Sequence, residues 1–179
     1  ELLDYPEVDY VLRGDSTEEP LRQLMACILN GEEPTEVPNL SWRDGGGAVR
    51  ENPFTHVPDD LSDVMVDYYS NMVRSVVRYR DISSSLPFRR WLRYPITAVL
   101  TCRGCTLNCH SCGGSRFAFK QMCHRDKVAY RSPRLIAQDI HSIQRYLSGP
   151  VFIIGDIRQA GEAYATELLN EIKEIGTSG

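Results

Sequence analysis

Five of the six cysteines lie within a stretch of 22 residues, and this cluster limits what the chain can be more than any other feature. Its members are Cys102, Cys105, Cys109, Cys112 and Cys123. Because the first residues lack the basic and apolar layout of a secretion signal, we expect a reducing, cytoplasmic setting rather than a disulfide framework. Closely spaced thiols in that setting indicate metal or redox chemistry. The sixth cysteine, Cys27, lies in an apolar helical stretch and is expected to be an inert, buried thiol.

The spacing of the cysteines is compatible with two kinds of metal site. Cys102 with Cys105, and Cys109 with Cys112, form two pairs at the spacing found in zinc sites. Structural zinc sites separate such pairs by about a dozen residues or more, whereas three residues intervene here, which is cramped for one tetrahedral ion. Thiolates on one loop can instead surround an iron–sulfur cluster, and three of them leave one iron open to a substrate. The spacing therefore favours an iron–sulfur cluster over zinc.

The cysteines lie between elements that predict a parallel sheet. A β-branched strand is expected at residues 96–100 and an apolar strand at residues 151–154, followed by helices at residues 133–146 and 163–175. This order indicates two βα units, with the second strand covered on both faces. Loops after the carboxyl ends of such strands carry the chemistry of α/β enzymes. The segment with the cysteines and the loop that begins at Gly155 both occupy that position.

The first half of the chain predicts a smaller α/β region and a connector. A short strand is expected at residues 5–12, then a helix that stops at Gly31, and then a hairpin at residues 40–50. Prolines punctuate residues 51–95, where the sequence is compatible with one helix over residues 61–79. The predicted fold class is therefore α/β.

Charge is unevenly distributed along the chain. Residues 1–70 carry 16 acidic and 4 basic side chains, whereas residues 86–134 carry ten basic side chains and a single acid, Asp126. A basic segment of this kind attracts anions such as a phosphate, a carboxylate, an anionic cluster or a nucleic acid. It is equally compatible with a surface whose charge faces the acidic half of the same molecule.

Two segments carry a resemblance to a known enzyme family. Residues 101–114 read TCRGCTLNCHSCGG, and residues 6–15 read PEVDYVLRGD. The Cys-x-x-x-Cys-x-x-Cys spacing directly after a predicted strand resembles the signature of the radical S-adenosylmethionine (SAM) superfamily. The Thr-x-Arg-Gly-Cys context and residues 6–15 are similar to the subgroup that carries a cobalamin-binding domain ahead of its barrel. The resemblance is strongest over residues 96–160 and looser over residues 1–50.

The resemblance implies how the chain is organised. Residues 1–50 would be the end of a Rossmann-like cobalamin-binding domain, residues 51–95 a connector, and residues 96–179 the first βα units of a partial (β/α) barrel. Because a full barrel takes about 250 residues, we expect the chain to be a fragment of a longer enzyme and inactive alone.

The resemblance also assigns roles to residues. Cys105, Cys109 and Cys112 would ligate a [4Fe–4S] cluster whose remaining iron binds the amine and carboxylate of S-adenosylmethionine. Gly155 and Asp156 stand where the family has a glycine-rich motif that holds the methionine amino group, and a carboxylate suits that contact.

Four further residues near the cysteines receive weaker assignments. Ser111 stands at the position beside the adenine, which is usually aromatic in the family, and Gly113 lets the backbone pass close to the cluster. Cys102 is expected to pack at the end of the strand, and Cys123 to be an additional thiol near the cluster. No catalytic residue is assigned.

The predicted function is that of a radical SAM enzyme that cleaves S-adenosylmethionine reductively, in a cobalamin-linked reaction such as methyl transfer. The expected partners are a small-molecule substrate and a low-potential electron donor. No membrane span is expected, because no run of about 18 apolar residues occurs. Two alternatives are an RNA-modifying, methylthiotransferase-like radical SAM enzyme, which the basic segment would serve through phosphate contacts, and a non-enzymatic zinc-binding module.

Overall fold

The structure is a computed structural model that describes residues 2–62, 68–83 and 86–177. The described chain is a mixed α/β structure with small sheets. Every helix in these ranges is too short or too polar to cross a lipid bilayer.

Short strands and helices alternate along the described residues. The strands are β1 (Tyr10–Leu12), β2 (Leu40–Arg43), β3 (Val49–Glu51), β4 (Thr97–Leu100), β5 (Cys102–Arg103), β6 (Ala129–Tyr130) and β7 (Val151–Ile154). The helices are α1 (Glu18–Asn30), α2 (Tyr68–Tyr79), α3 (Arg116–Cys123), α4 (Pro133–Gln144) and α5 (Glu162–Thr177). Turns of 3₁₀ helix lie at Leu2–Asp4, Trp91–Arg93 and Ile157–Ala160.

The chain divides into two compact units. The first consists of Glu1–Asp59 and Gly104–Val128, and the second of Asp60–Arg103 and Ala129–Gly179. The cysteine loop, defined here as residues 104–115, therefore folds with the amino-terminal residues. In the sequence, however, it follows directly on strands of the second unit.

The first unit contains a small antiparallel sheet in the order β1–β2–β3. The predicted hairpin is confirmed, because β2 and β3 pair in antiparallel fashion, and α1 ends at Gly31 as predicted, with a left-handed φ of 69°. The predicted strand over residues 5–12 is confirmed only for β1. The described strands of this unit are antiparallel, so they do not confirm a Rossmann-like sheet.

The second unit contains the predicted βα units. β4 and β7 pair in parallel, with Val99 opposite Ile153, and α4 connects them. A buried apolar cluster lies beneath this pair and the helices; its members are Tyr69, Trp91, Val99, Ile136, Ile140, Ile143 and Leu168. The helix predicted over residues 61–79 is confirmed only from Tyr68 to Tyr79, as α2; residues 61 and 62 are not helical, and residues 63–67 lie outside the described residues.

One prediction about the sheet is wrong. The apolar composition of β7 predicted burial on both faces, but Phe152 and Ile154 are 57% and 49% exposed, as is much of Leu100. The pairing register places these three side chains on one face, opposite to the buried Val99. Ile153 lies on the same face as Val99 and is still 39% exposed, so within the described residues β7 is exposed on one face and only partly covered on the other.

Two adjacent leucines of α5 test this assignment of the core. Leu168 is 1% exposed and Leu169 is 56% exposed. We expect Leu168→Ala to lower the free energy of unfolding by about 2–5 kcal/mol, because it leaves a cavity in a packed core. Leu169→Ala is the matched control and should change it by no more than about 0.5 kcal/mol. Urea denaturation measures both, and equal effects would contradict the assignment.

Candidate metal centre

The cysteine loop leaves and re-enters the second unit through a short ribbon. In this ribbon β5 and β6 pair in antiparallel fashion, with Cys102 opposite Tyr130 and Arg103 opposite Ala129. The chain between them, Gly104–Val128, carries the loop and then α3. The Ser115 hydroxyl caps α3 by accepting the backbone N–H of Ala118 at 3.2 Å.

Backbone hydrogen bonds close the loop on itself. The N–H of Cys112 donates to the carbonyl of Cys109 at 3.2 Å, and the N–H of Arg116 donates to the carbonyl of Leu107 at 2.8 Å. The N–H of Leu107 donates to Sγ of Cys105 at 3.4 Å. An amide that points at a cysteine sulfur stabilises the negative charge of a metal-bound thiolate.

The three predicted ligands are accessible thiols. Cys105 is half-buried, Cys109 and Cys112 are exposed, and none of these three is in a disulfide. As a donor set they fit an iron–sulfur cluster, because three sulfurs come from one loop and one of them already accepts an amide N–H. Among residues 2–62, 68–83 and 86–177, no three His, Cys, Asp or Glu side chains come together closely enough to hold a single metal ion. The ligand role of the three cysteines stays a prediction.

Ser111 and Gly113 are both exposed on the loop. A Cβ atom on Gly113 would meet no atom within 4 Å, so nothing in the described fold requires glycine there. The close backbone approach lies at Gly104 instead, where φ is +96° and a Cβ atom would be 2.9 Å from Cδ of Arg125. The cofactor contacts of Ser111 and Gly113 stay predictions.

Cys123 is poorly suited to ligate a metal. It is half-buried at the end of α3, where burial raises the pKa of its thiol and the Asp15 carboxylate raises it further. Because the thiolate is the metal-binding form, this environment disfavours ligation. The next residue, His124, has a left-handed φ of 52° and its ring contacts the Phe54 ring at a centroid distance of 4.3 Å.

Gly155 lies in the second unit, at the carboxyl end of β7, where the sequence predicts it. Its φ is +114°, and a Cβ atom there would lie 2.8 Å from Sγ of Cys102 and would overlap Oγ1 of Thr101. Thr101 is buried, and its hydroxyl donates to the carbonyl of Ile154 at 3.1 Å. The structure thus brings Gly155 and Cys102 together at the ends of the paired strands, and only glycine fits this position.

Asp156 is held by its own loop. Its carboxylate accepts the backbone N–H of Arg158 at 3.1 Å and forms a bidentate ion pair with the Arg158 guanidinium at 2.8 and 2.9 Å. These bonds hold the pKa of the Asp156 carboxyl below its usual range, so the group is ionised at neutral pH. Both carboxylate oxygens already accept hydrogen bonds from Arg158, so an ammonium group would share this carboxylate with the guanidinium, and the contact with S-adenosylmethionine stays a prediction.

Two buried arginines, Arg125 and Arg131, were not expected from the sequence. Arg131 forms an ion pair with Asp139 at 2.7 Å and donates to the carbonyl of Leu100 at 3.1 Å, so it satisfies the end of β4. A lone acid on the apolar face of a predicted helix was the available signal for this pair. Arg125 pairs with Asp15, which is 110 residues away in the sequence, and no local pattern predicts that contact.

The chain was compared with known proteins. No protein-family model matches it, and none of the curated proteins does. Its structure is similar to that of TsrM, a radical S-adenosylmethionine methyltransferase from Kitasatospora setae. The TsrM structure with tryptophan substrate and a SAM analogue (aza-SAM) has a TM-score of 0.61 at 16% identity, covering 99% of this chain and 31% of TsrM. The TsrM structure with cobalamin and a [4Fe–4S] cluster bound has a TM-score of 0.60 at 17% identity. That match covers 99% of this chain and 32% of TsrM.

These figures establish a likeness of fold. The chain spans about a third of the length of TsrM, and it resembles that part over nearly its whole length. The mixed α/β fold class is thereby supported by solved structures of an enzyme.

Alanine substitutions at two glycines with positive φ, Gly155 and Gly161, distinguish the cost of backbone strain from the cost of close packing in the loop after β7. Gly161→Ala, at a φ of +95° with no atom within 4 Å of the new methyl group, should lower the free energy of unfolding by about 1–3 kcal/mol through backbone strain alone. Gly155→Ala adds overlap with Cys102 and Thr101 and should cost at least about 1 kcal/mol more. Thermal or urea unfolding of the two variants gives the difference, and equal costs would refute the close approach.

Proposed function

We propose that this chain is part of a radical SAM enzyme in which Cys105, Cys109 and Cys112 hold a [4Fe–4S] cluster. The observation that carries the proposal is a single loop with three accessible thiols, which follows the carboxyl end of a strand in a parallel pair. The likeness of 99% of the chain to part of TsrM, a radical S-adenosylmethionine methyltransferase solved with a [4Fe–4S] cluster, supports it.

The residues of the loop account for ligation. When bound, the cluster supplies the electron for reductive cleavage of S-adenosylmethionine. Cys109 and Cys112 are exposed, so iron can reach them without opening the fold. The N–H of Leu107 stabilises negative charge on Cys105. Burial raises the pKa of the Cys123 thiol, which disfavours the thiolate form that binds metal.

The proposed cofactor contacts also involve Asp156, oriented by Arg158, and two residues of the cysteine loop. We assign to Asp156 the binding of an ammonium group, because its carboxylate is ionised and only partly buried. Arg158 keeps that carboxylate ionised and in one orientation. Ser111 and Gly113, both exposed on the cysteine loop, are proposed to contact the cofactor that the cluster binds.

The proposed reaction is cobalamin-linked methyl transfer in the cytoplasm, with a small-molecule substrate and a low-potential electron donor. In support, the TsrM structures are those of a methyltransferase, one of them with cobalamin bound. The proposed organisation is a cobalamin-domain end at residues 1–50, a connector at 51–95 and a barrel start at 96–179. A parallel strand pair with a helix after each strand is how a (β/α) barrel begins, which supports the last part.

Anaerobic reconstitution with iron and sulfide tests the proposal. We expect the wild-type chain to bind iron and acid-labile sulfide in equal amounts and to show the broad visible absorption of thiolate-bound iron. Cys109→Ala should lose most of both, because one of three ligands is missing. Cys123→Ala is the matched control and should load like wild type. Metal and sulfide analysis of the three proteins reads this out.

Two outcomes would contradict the proposal. The first is a colourless wild-type chain that binds zinc in place of iron and sulfide, which would favour a zinc module. The second is a Cys123→Ala variant that loses the metal while Cys109→Ala keeps it, since that would move the ligand set to other thiols.

A further inference from the structure

The most deeply buried charge of the first unit lies just after the cysteine loop and α3. Arg125 is 2% exposed. Its Nε and Nη2 donate to the two carboxylate oxygens of Asp15 at 2.6 and 3.1 Å. Nη2 also donates to Oγ of Ser16 at 3.1 Å, and Nη1 donates to the carbonyl of Pro58 at 3.0 Å. Every nitrogen of the guanidinium is therefore bonded, and the geometry with Asp15 is bidentate.

The same side chain also contacts the beginning of the cysteine loop. A Cβ atom on Gly104 would lie 2.9 Å from Cδ of Arg125, so the backbone at Gly104 passes directly over the arginine stem. Gly104 immediately precedes the predicted ligand Cys105. The backbone N–H of Arg125 donates to the carbonyl of Phe119 at 3.2 Å, which ties it to α3. Arg125 thus contacts the start of the cysteine loop at Gly104 and the helix α3 that follows the loop, and it links both to the turn near residue 15.

A second set of contacts fixes that turn. The ring of Phe54 contacts the ring of His124 on one side. On another side it fills the space beside Gly14, where a Cβ atom would lie 2.8 Å from the ring. The guanidinium of Arg13 lies over the same ring, 5.7 Å from its centroid. Phe54 therefore also contacts the residues that immediately precede Asp15 and Arg125.

We propose that Arg125 and Asp15 form a clamp that positions the cysteine loop for cluster binding, so that the turn at residues 14–16 controls how firmly the cluster is held. The loop has two exposed cysteines and little regular structure, so its ordering costs conformational entropy. A clamp that fixes the loop beforehand removes part of that cost from cluster binding. Arg125 is a positioning residue in this scheme, because it contacts the backbone at Gly104 and is not one of the proposed ligands. The proposal rests on the proposed function.

The experiment uses the chain of residues 1–179 and compares variants of two buried ion pairs, Arg125–Asp15 and Arg131–Asp139. Asp15→Asn and Arg125→Lys weaken the clamp while keeping its shape and, in the lysine variant, its charge. Arg131→Lys and Asp139→Asn are the matched controls, because that pair is equally buried but lies in the second unit. Two quantities are measured for each variant: the rate of iron loss to a chelator after anaerobic reconstitution, and hydrogen exchange of residues 104–115 in the metal-free chain.

The clamp variants should lose iron about 10- to 100-fold faster than wild type, the range seen when residues that orient metal ligands are changed. Their loop amides should also exchange faster without metal. The double variant Asp15→Asn with Arg125→Lys should lose iron only slightly faster than either single variant, because both changes weaken the same ion pair. The control variants should leave both rates near those of wild type, even where they lower the unfolding temperature.

The other outcomes overturn the proposal or separate it from the proposed function. Faster exchange with unchanged iron loss would show that the clamp orders the loop without serving the cluster, and it would overturn the proposal. Equal effects in clamp and control variants would do so too, because general destabilisation would then explain them. If wild type binds no iron and sulfide, the proposed function falls, and the exchange rates of the metal-free chain still decide whether the clamp orders the loop.

Discussion

A guanidinium group loses its hydration when it is buried, and it is stable there only where carboxylate and carbonyl oxygens replace the lost water. Arg125 meets this condition through Asp15, Ser16 and the carbonyl of Pro58. The first unit depends on this interaction because its apolar core, built on Leu24, Val37, Leu40 and Trp42, contains no described residue of Gly104–Val128. Polar and ring contacts, rather than a shared apolar core, therefore hold the cysteine loop on this unit.

The second unit uses a related device at the end of its sheet. Arg131, paired with Asp139, satisfies the carbonyl of Leu100 where β4 ends, and the hydroxyl of Tyr164 donates to the carbonyl of Arg131 at 2.6 Å. Burial, together with the nearby Cys102, raises the pKa of Tyr164 to about 12, so the hydroxyl stays a donor at neutral pH. The loop after β7 can then pass against Thr101 only because Gly155 has no side chain. The carboxyl ends of both strands are thus fixed by hydrogen bonds and close contact.

Local signals in the sequence were sufficient to predict most of the strands and helices. They were insufficient to predict which of these pack together in one unit. The hairpin, the stop of α1 at Gly31 and the parallel strands followed from turn residues and apolar spacing, which act over a few residues. The apolar run of β7 was misinterpreted because composition reports what a strand can bury and not what covers it. α3 was missed, although Ser115 is an ordinary helix cap. The placement of residues 104–128 with the amino-terminal segment was unpredictable, because it rests on contacts between residues about a hundred positions apart.

For the candidate site, too, the sequence identified the residues but not their contacts. The cysteine spacing named the three thiols, but the basic segment around them left open whether its charge serves a ligand or the fold. For three of its side chains the structure gives the answer: Arg125 pairs with Asp15, Lys120 with Asp126 at 2.8 Å, and Arg131 with Asp139. The pair that involves Asp15 joins the basic segment to the acidic half of the sequence, so part of the charge asymmetry stabilises the fold. Arg116 and Lys127 are exposed within Gly104–Val128, and a cluster ligated by three thiolates, which is anionic, would gain from their positive charge.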